Sequence, residues 1–80
     1  MVKFNGLKLR RIRRKKGISE SKTEWYYVAL EKDNDVDQLK KICGKGGTCY
    51  ISSEYSKNGL RYIEYKKVIY YLKNGEFMAS

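Results

Sequence analysis

Two Asn-Gly pairs, Asn58-Gly59 and Asn74-Gly75, punctuate the C-terminal part of this chain. Asn-Gly accepts positive φ at both central positions of a two-residue turn, so each pair between apolar runs reads as a β-hairpin. Hairpins join neighbouring segments antiparallel and need no crossover helix. The flanking segments fit this reading. Leu60 to Tyr71 contains a long strand with a break near Lys66-Lys67, and Glu76 to Ala79 is a short terminal strand. Thr48 to Tyr55 is a further strand, with Cys49, Ile51 and Tyr55 on one side. The strongest strand is Thr23 to Glu31, which is apolar on both faces: Trp25, Tyr27 and Ala29 on one, Tyr26, Val28 and Leu30 on the other. A strand of that kind is either fully covered or has one face open to a ligand.

Ahead of it, Val2 to Lys16 reads as one strand, with Leu7 and Leu9 on one face and Lys8 and Arg10 on the other. The alternation slips at Arg11-Ile12, which predicts a bulge or bend. The polar stretch Gly17 to Lys22 reads as a hairpin loop. A single short helix runs from about Asp33 to Gly44. Asp35 and Gln38 have capping-box spacing, acids crowd the first turn, Lys40 and Lys41 the last, and Gly44 supplies the C-cap. Val36, Leu39, Ile42 and Cys43 form its packing face. The order is ββ-α-βββ. It predicts an α+β, mainly antiparallel β domain of five to six strands, either a small barrel or a strongly twisted sheet, with an OB-like form included. Residues 1–80 read as one domain without repeat or linker.

Charge is the second constraint. The net charge is +9, and residues 1–16 carry eight cations and no acid: Lys3, Lys8, Arg10, Arg11, Arg13, Arg14, Lys15 and Lys16. The other ten cations are balanced by nine acids, leaving a net of only +1. Such concentration in a basic strand or arm, residues 8–16, repels itself in the free protein and relaxes against a polyanion. Single-stranded nucleic acid is held by cations that follow the phosphates and by rings that stack on bases. Arginine at four positions suits planar, bidentate contact with phosphate. Lys8, Arg10, Arg11, Arg13, Arg14, Lys15, Lys16 and Lys22 are therefore the candidate phosphate contacts, and Trp25 and Tyr27 the candidate stacking rings.

The stretch Gly17-Ile18-Ser19, then Lys22, then the aromatic strand Trp25 to Leu30, preceded by a basic strand, resembles the gene-V-type single-stranded-DNA-binding proteins of filamentous phages. The likeness covers residues 8–31. It implies an OB-fold, a dimer, and basic and aromatic side chains gripping a single strand. An OB-type barrel places its helix after a third strand, which would require one more strand before Asp33.

The expected partner is thus nucleic acid, single-stranded rather than duplex. The alternative is a small phage- or plasmid-encoded inhibitor, of the anti-CRISPR or anti-restriction type, docking on a host nucleic-acid-handling protein. The mix of eight tyrosines with no proline or histidine accords with AT-rich coding, as in many phages, plasmids and low-GC bacteria. Catalysis is not expected, since histidine, the commonest general base, is absent. Gly44-Lys45-Gly46-Gly47-Thr48 closes a helix rather than opening one, so it reads as a capping turn and not a phosphate loop. Cys43 and Cys49, without histidine, make a poor zinc set; their spacing leaves a disulfide open, and buried thiols kept reduced in the cytoplasm are the expected reading. No cofactor or metal is expected. No apolar run has the length of a signal core or membrane span, so the expected location is cytoplasmic, the host cytoplasm if phage-encoded. The Tyr-rich segment Leu60 to Leu72, read as exposed edge strands, suggests a homodimer.

Overall fold

The computed structural model describes residues 1–15 and 23–79. It contains eight strands: β1 (Val2–Phe4), β2 (Leu7–Lys15), β3 (Thr23–Leu30), β4 (Thr48–Ser53), β5 (Tyr55–Lys57), β6 (Leu60–Tyr65), β7 (Val68–Lys73) and β8 (Glu76–Ala79). One α-helix, α1 (Val36–Cys43), follows a 3-10 turn at Glu31–Asp33. The strands form a single sheet in the order β4-β3-β2-β1-β8-β7-β6-β5, curled into a nearly closed barrel. Every pairing is antiparallel except β1 with β8, which lie parallel and join the two ends of the chain.

The expected class is right and the strand count too low, because two breaks, at Asn5-Gly6 and at Glu54, fall inside segments that read as single strands. Asn5 (φ 47°) and Gly6 (φ 84°) make a third Asn-Gly turn, splitting Val2 to Lys15 into β1 and β2. Glu54 separates β4 from β5, so Ile51 points inward while Tyr55 is exposed instead of sharing its side. Lys66 (φ 49°) and Lys67 (φ 65°) form the turn between β6 and β7, at the break expected there. The helix consequently follows a third strand. The strand order is nonetheless an up-and-down meander, whereas an OB barrel is a five-stranded Greek key.

No bulge interrupts β2: it pairs with β3 in unbroken register from Leu9↔Ala29 to Lys15↔Thr23. The irregularity lies one strand over, where Tyr27↔Ser52 is followed by Val28↔Tyr50 and Ile51 is the extra residue. The loss of alternation in β2 has a different cause. Arg11 and Arg13 continue the inward face begun by Leu7 and Leu9, but at a level where the barrel opens to solvent.

Phe4, Leu7, Leu9, Tyr27, Ala29, Ile51, Ile63 and Phe77 fill the interior. Phe4 meets Tyr65 and Tyr70 edge-on, with centroids 5.1 and 4.8 Å apart. Helix α1 closes one end of this core. Asp35 accepts a bond from the Gln38 N–H, as the capping spacing predicts, but the Gln38 side chain donates to Asn5 O (2.7 Å) instead of back to the cap. Leu39 is buried in the core, Tyr65 Oη donates to Ile42 O (2.7 Å), and Val36 faces solvent. Burying one side chain the size of Leu39 contributes about 1.5–3 kcal/mol, a large share of what so small a helix can add.

Candidate nucleic-acid interface

β1 flanks β2 only along Leu7–Leu9, and β4 flanks β3 only along Tyr26–Leu30. Beyond those limits Arg13–Lys15 and Thr23–Trp25 pair with each other, apart from one bond from Glu54 N–H to Trp25 O. This two-stranded ribbon overhangs the barrel at the end away from α1. The basic arm is therefore a paired strand along its described length. Lys16 and Lys22, and the expected loop between them, lie outside the described residues.

Strand alternation divides the arginines. On the inner face, Arg11 Nη2 bonds Glu54 Oε1 at 2.8 Å, and its guanidinium carbon sits 3.8 Å from the Trp25 ring centroid. Arg13, next on that face, lies 6.0 Å from the same ring. On the outer face Arg14 lies 5.2 Å from the Tyr50 centroid, and Arg10 reaches Asp33 Oδ2 at 3.5 Å. Cations over ring faces at these separations attract by about 0.5–1 kcal/mol where exposed. Lys8 is exposed, its side chain opposite Lys3 in the β1–β2 pair, and its backbone bonds the Asn34 side chain. Among the described residues, the ion pairs of the segment are Arg10–Asp33 and Arg11–Glu54; Arg13 and Arg14 contact rings.

Two expected site residues change role. Tyr27 is fully buried, packs edge-on against Phe77 (4.9 Å), and donates its hydroxyl to Glu54 Oε2. It faces inward because β3 alternates, so it cannot stack on a base. Burial, together with the bond to and the charge of Glu54, pushes its pKa up to about 12. Arg11 belongs with it. Glu54, only 8% exposed, holds Arg11, Tyr27 and Arg61 (3.6 Å), tying β2, β3 and β6 together across the seam between the sheet's edges β4 and β5. Glu54 does not face Glu64 across the Asn58-Gly59 hairpin: the register pairs Tyr55 with Tyr62 and Glu64 with Ile69.

Tyr50 is the ring that the sequence reading missed. It is 55% exposed, edge-on to Tyr26 at 6.5 Å, and lies beneath Arg14. Its signal was the alternation Cys49-Tyr50-Ile51, with Tyr50 on the side opposite two apolar residues.

Cys43 and Cys49 are joined in a disulfide. The end of α1 and the start of β4 bring their Cα atoms to 5.9 Å, inside the usual window for a bridge. This corrects the expectation of reduced thiols and removes that support for a cytoplasmic location, since disulfides persist mainly in oxidising compartments. Among the described residues no helix is long and apolar enough to cross a membrane, and no cluster of potential metal ligands occurs. Comparison with protein-family models, curated proteins and solved structures finds no match.

Proposed function

We propose that this protein binds nucleic acid, single strands in preference to duplex, through the overhanging β2–β3 ribbon and the adjoining outer wall of β4. The observation that carries this reading is the setting of Arg13 and Arg14. They lie on opposite faces of the ribbon, each against a partly exposed ring, Trp25 or Tyr50. Arg10 and Lys8 extend the cationic file along the outer wall toward the barrel. Cations interleaved with rings suit a single strand, whose phosphates and unstacked bases are both available. Trp25 and Tyr50 are the stacking residues in this reading, and Arg11 serves the barrel seam. The resemblance of residues 8–31 to gene-V-type proteins points to the same ligand class.

Trp25, the sole tryptophan, is the reporter for the test. Its fluorescence is followed against oligo-dT, single-stranded RNA and duplex DNA at two salt concentrations. Binding to single strands, with log K falling against log salt by about 0.7 per phosphate engaged, is expected. Equal binding to duplex would remove the strand preference. No binding at low salt would overturn the reading and favour docking on an acidic protein groove.

A further inference from the structure

The outer wall of β5 to β8, diametrically across the sheet order from the β2–β3 ribbon, carries an apolar file of a different kind. Register places Tyr55, Tyr62, Tyr71 and Met78 side by side in one row across four strands. Tyr55 and Tyr62 stack at 5.5 Å, and Tyr62 and Tyr71 follow at 5.7 Å. The rings are turned toward one another, so their edges form a ridge and their faces are mostly taken. That geometry disfavours base stacking. Leu60 (56% exposed) and Ile69 (41%) widen the row, and its ends, Tyr55 and Met78, are about half exposed. A contiguous apolar patch rimmed by polar groups marks an interaction surface.

The rim identifies the occupant. Lys57 and Glu76 lie at opposite ends of one flank, beside Leu60 and Lys73 respectively. Glu64 lies on the other flank, opposite Ile69. With Lys57, Lys73, Glu64 and Glu76 this wall carries two charges of each sign, and among the described residues none of the four is ion-paired. A polyanion or an acidic partner would call for one sign. A balanced rim with opposite charges at its two ends is complementary to itself when turned over.

We infer that this wall is an isologous interface with a second copy of this chain. The two-fold axis runs along the strands between β6 and β7. That operation sets Tyr62 against the other copy's Tyr71, Tyr55 against its Met78, and Lys57 against its Glu76, each contact occurring twice. The ridge supplies the apolar centre and the lysine–glutamate pairs fix the register. The two basic ribbons then lie on the walls of the dimer farthest from the interface, where the net charge of +9 per copy is least opposed. The sequence reading expected a dimer through exposed edges at Leu60 to Leu72. β6 and β7 are interior strands of the sheet, so the contact is through their outward face and not through an edge.

The inference is independent of nucleic-acid binding and is tested without it, by sedimentation equilibrium of the oxidised full chain. A monomer–dimer equilibrium is expected, with Lys57→Glu weakening it about tenfold or more and Lys57→Glu with Glu76→Lys restoring it to within about threefold. Both positions are exposed on the wall, so the fold is unaffected, and circular dichroism of each variant checks this. A wild-type chain that stays monomeric up to about 1 mM, the weak limit of specific association, overturns the inference. So does a charge-swapped double variant no better than the single one.

Discussion

Arg11 and Arg13 are two residues apart on the same face of the same strand, yet they do different work. Arg11 sits where β2 still borders the barrel, against a nearly buried carboxylate that also holds Arg61 and Tyr27. Arg13 sits where the strand has left the barrel, and among the described residues it lies against a tryptophan ring. The residue type is identical and the surroundings decide its role. An arginine held by a buried acid is a fastener, while one held by a ring keeps its donors free for an anion.

The seam is where the largest effect on stability is expected. Glu54→Ala strands a buried tyrosine hydroxyl and two guanidinium groups. Breaking a buried pair costs about 3–5 kcal/mol, and the lower end applies here because both arginines are more than a third exposed. Urea denaturation measures this, and a loss below about 0.5 kcal/mol, the range of an ordinary surface change, would contradict the fastener role.

The same cluster predicts a response to alkali. Tyr27 has its pKa raised from 10 to about 12, so its neutral form is the one the fold prefers. Its stabilising contribution is whole below pH 10 and is lost as pH rises through about 12. The loss amounts to roughly 2–3 kcal/mol at 1.36 kcal/mol per unit. Stability curves of wild type and Tyr27→Phe across that window should converge; parallel curves would sever Tyr27 from the effect.

The disulfide comes next. It closes a short loop between α1 and β4, for which chain-entropy arguments give about 2 kcal/mol. Thermal melts with and without reductant should differ accordingly, and Cys43→Ser should be insensitive to reductant. Identical melts of the wild type in both conditions would show that the bridge contributes nothing.

Much of this was legible in the sequence. The hairpin signals, the alternation of β3, the capped helix and the basic strand were all there to be read. The turn at Asn5-Gly6 carried the same signature as the two that were recognised, but Val2-Lys3-Phe4 is too short to look like a strand alone. The role of Glu54 was hidden because it depends on three residues brought from β2, β3 and β6, which no local pattern records. Tyr27 and Tyr50 illustrate the same limit. Which face of an aromatic strand is buried depends on what lies across the barrel, and that is set by closure and by the bulge at Ile51.

The ribbon is where stability should respond least and binding most. Arg13→Glu with Arg14→Glu removes two cations that make no ion pair among the described residues and two ring contacts of about 0.5–1 kcal/mol each, so folding stability should fall by only about 1–2 kcal/mol. Titrating this variant with oligo-dT across a salt series, beside the wild type, is the most direct test of the contrast. Affinity at low salt should fall at least about tenfold, and the slope of log K against log salt should shrink by roughly 1.4, two phosphate contacts' worth. An unchanged affinity and slope in a folded variant would contradict the account, because the ribbon arginines would then not be the binding surface.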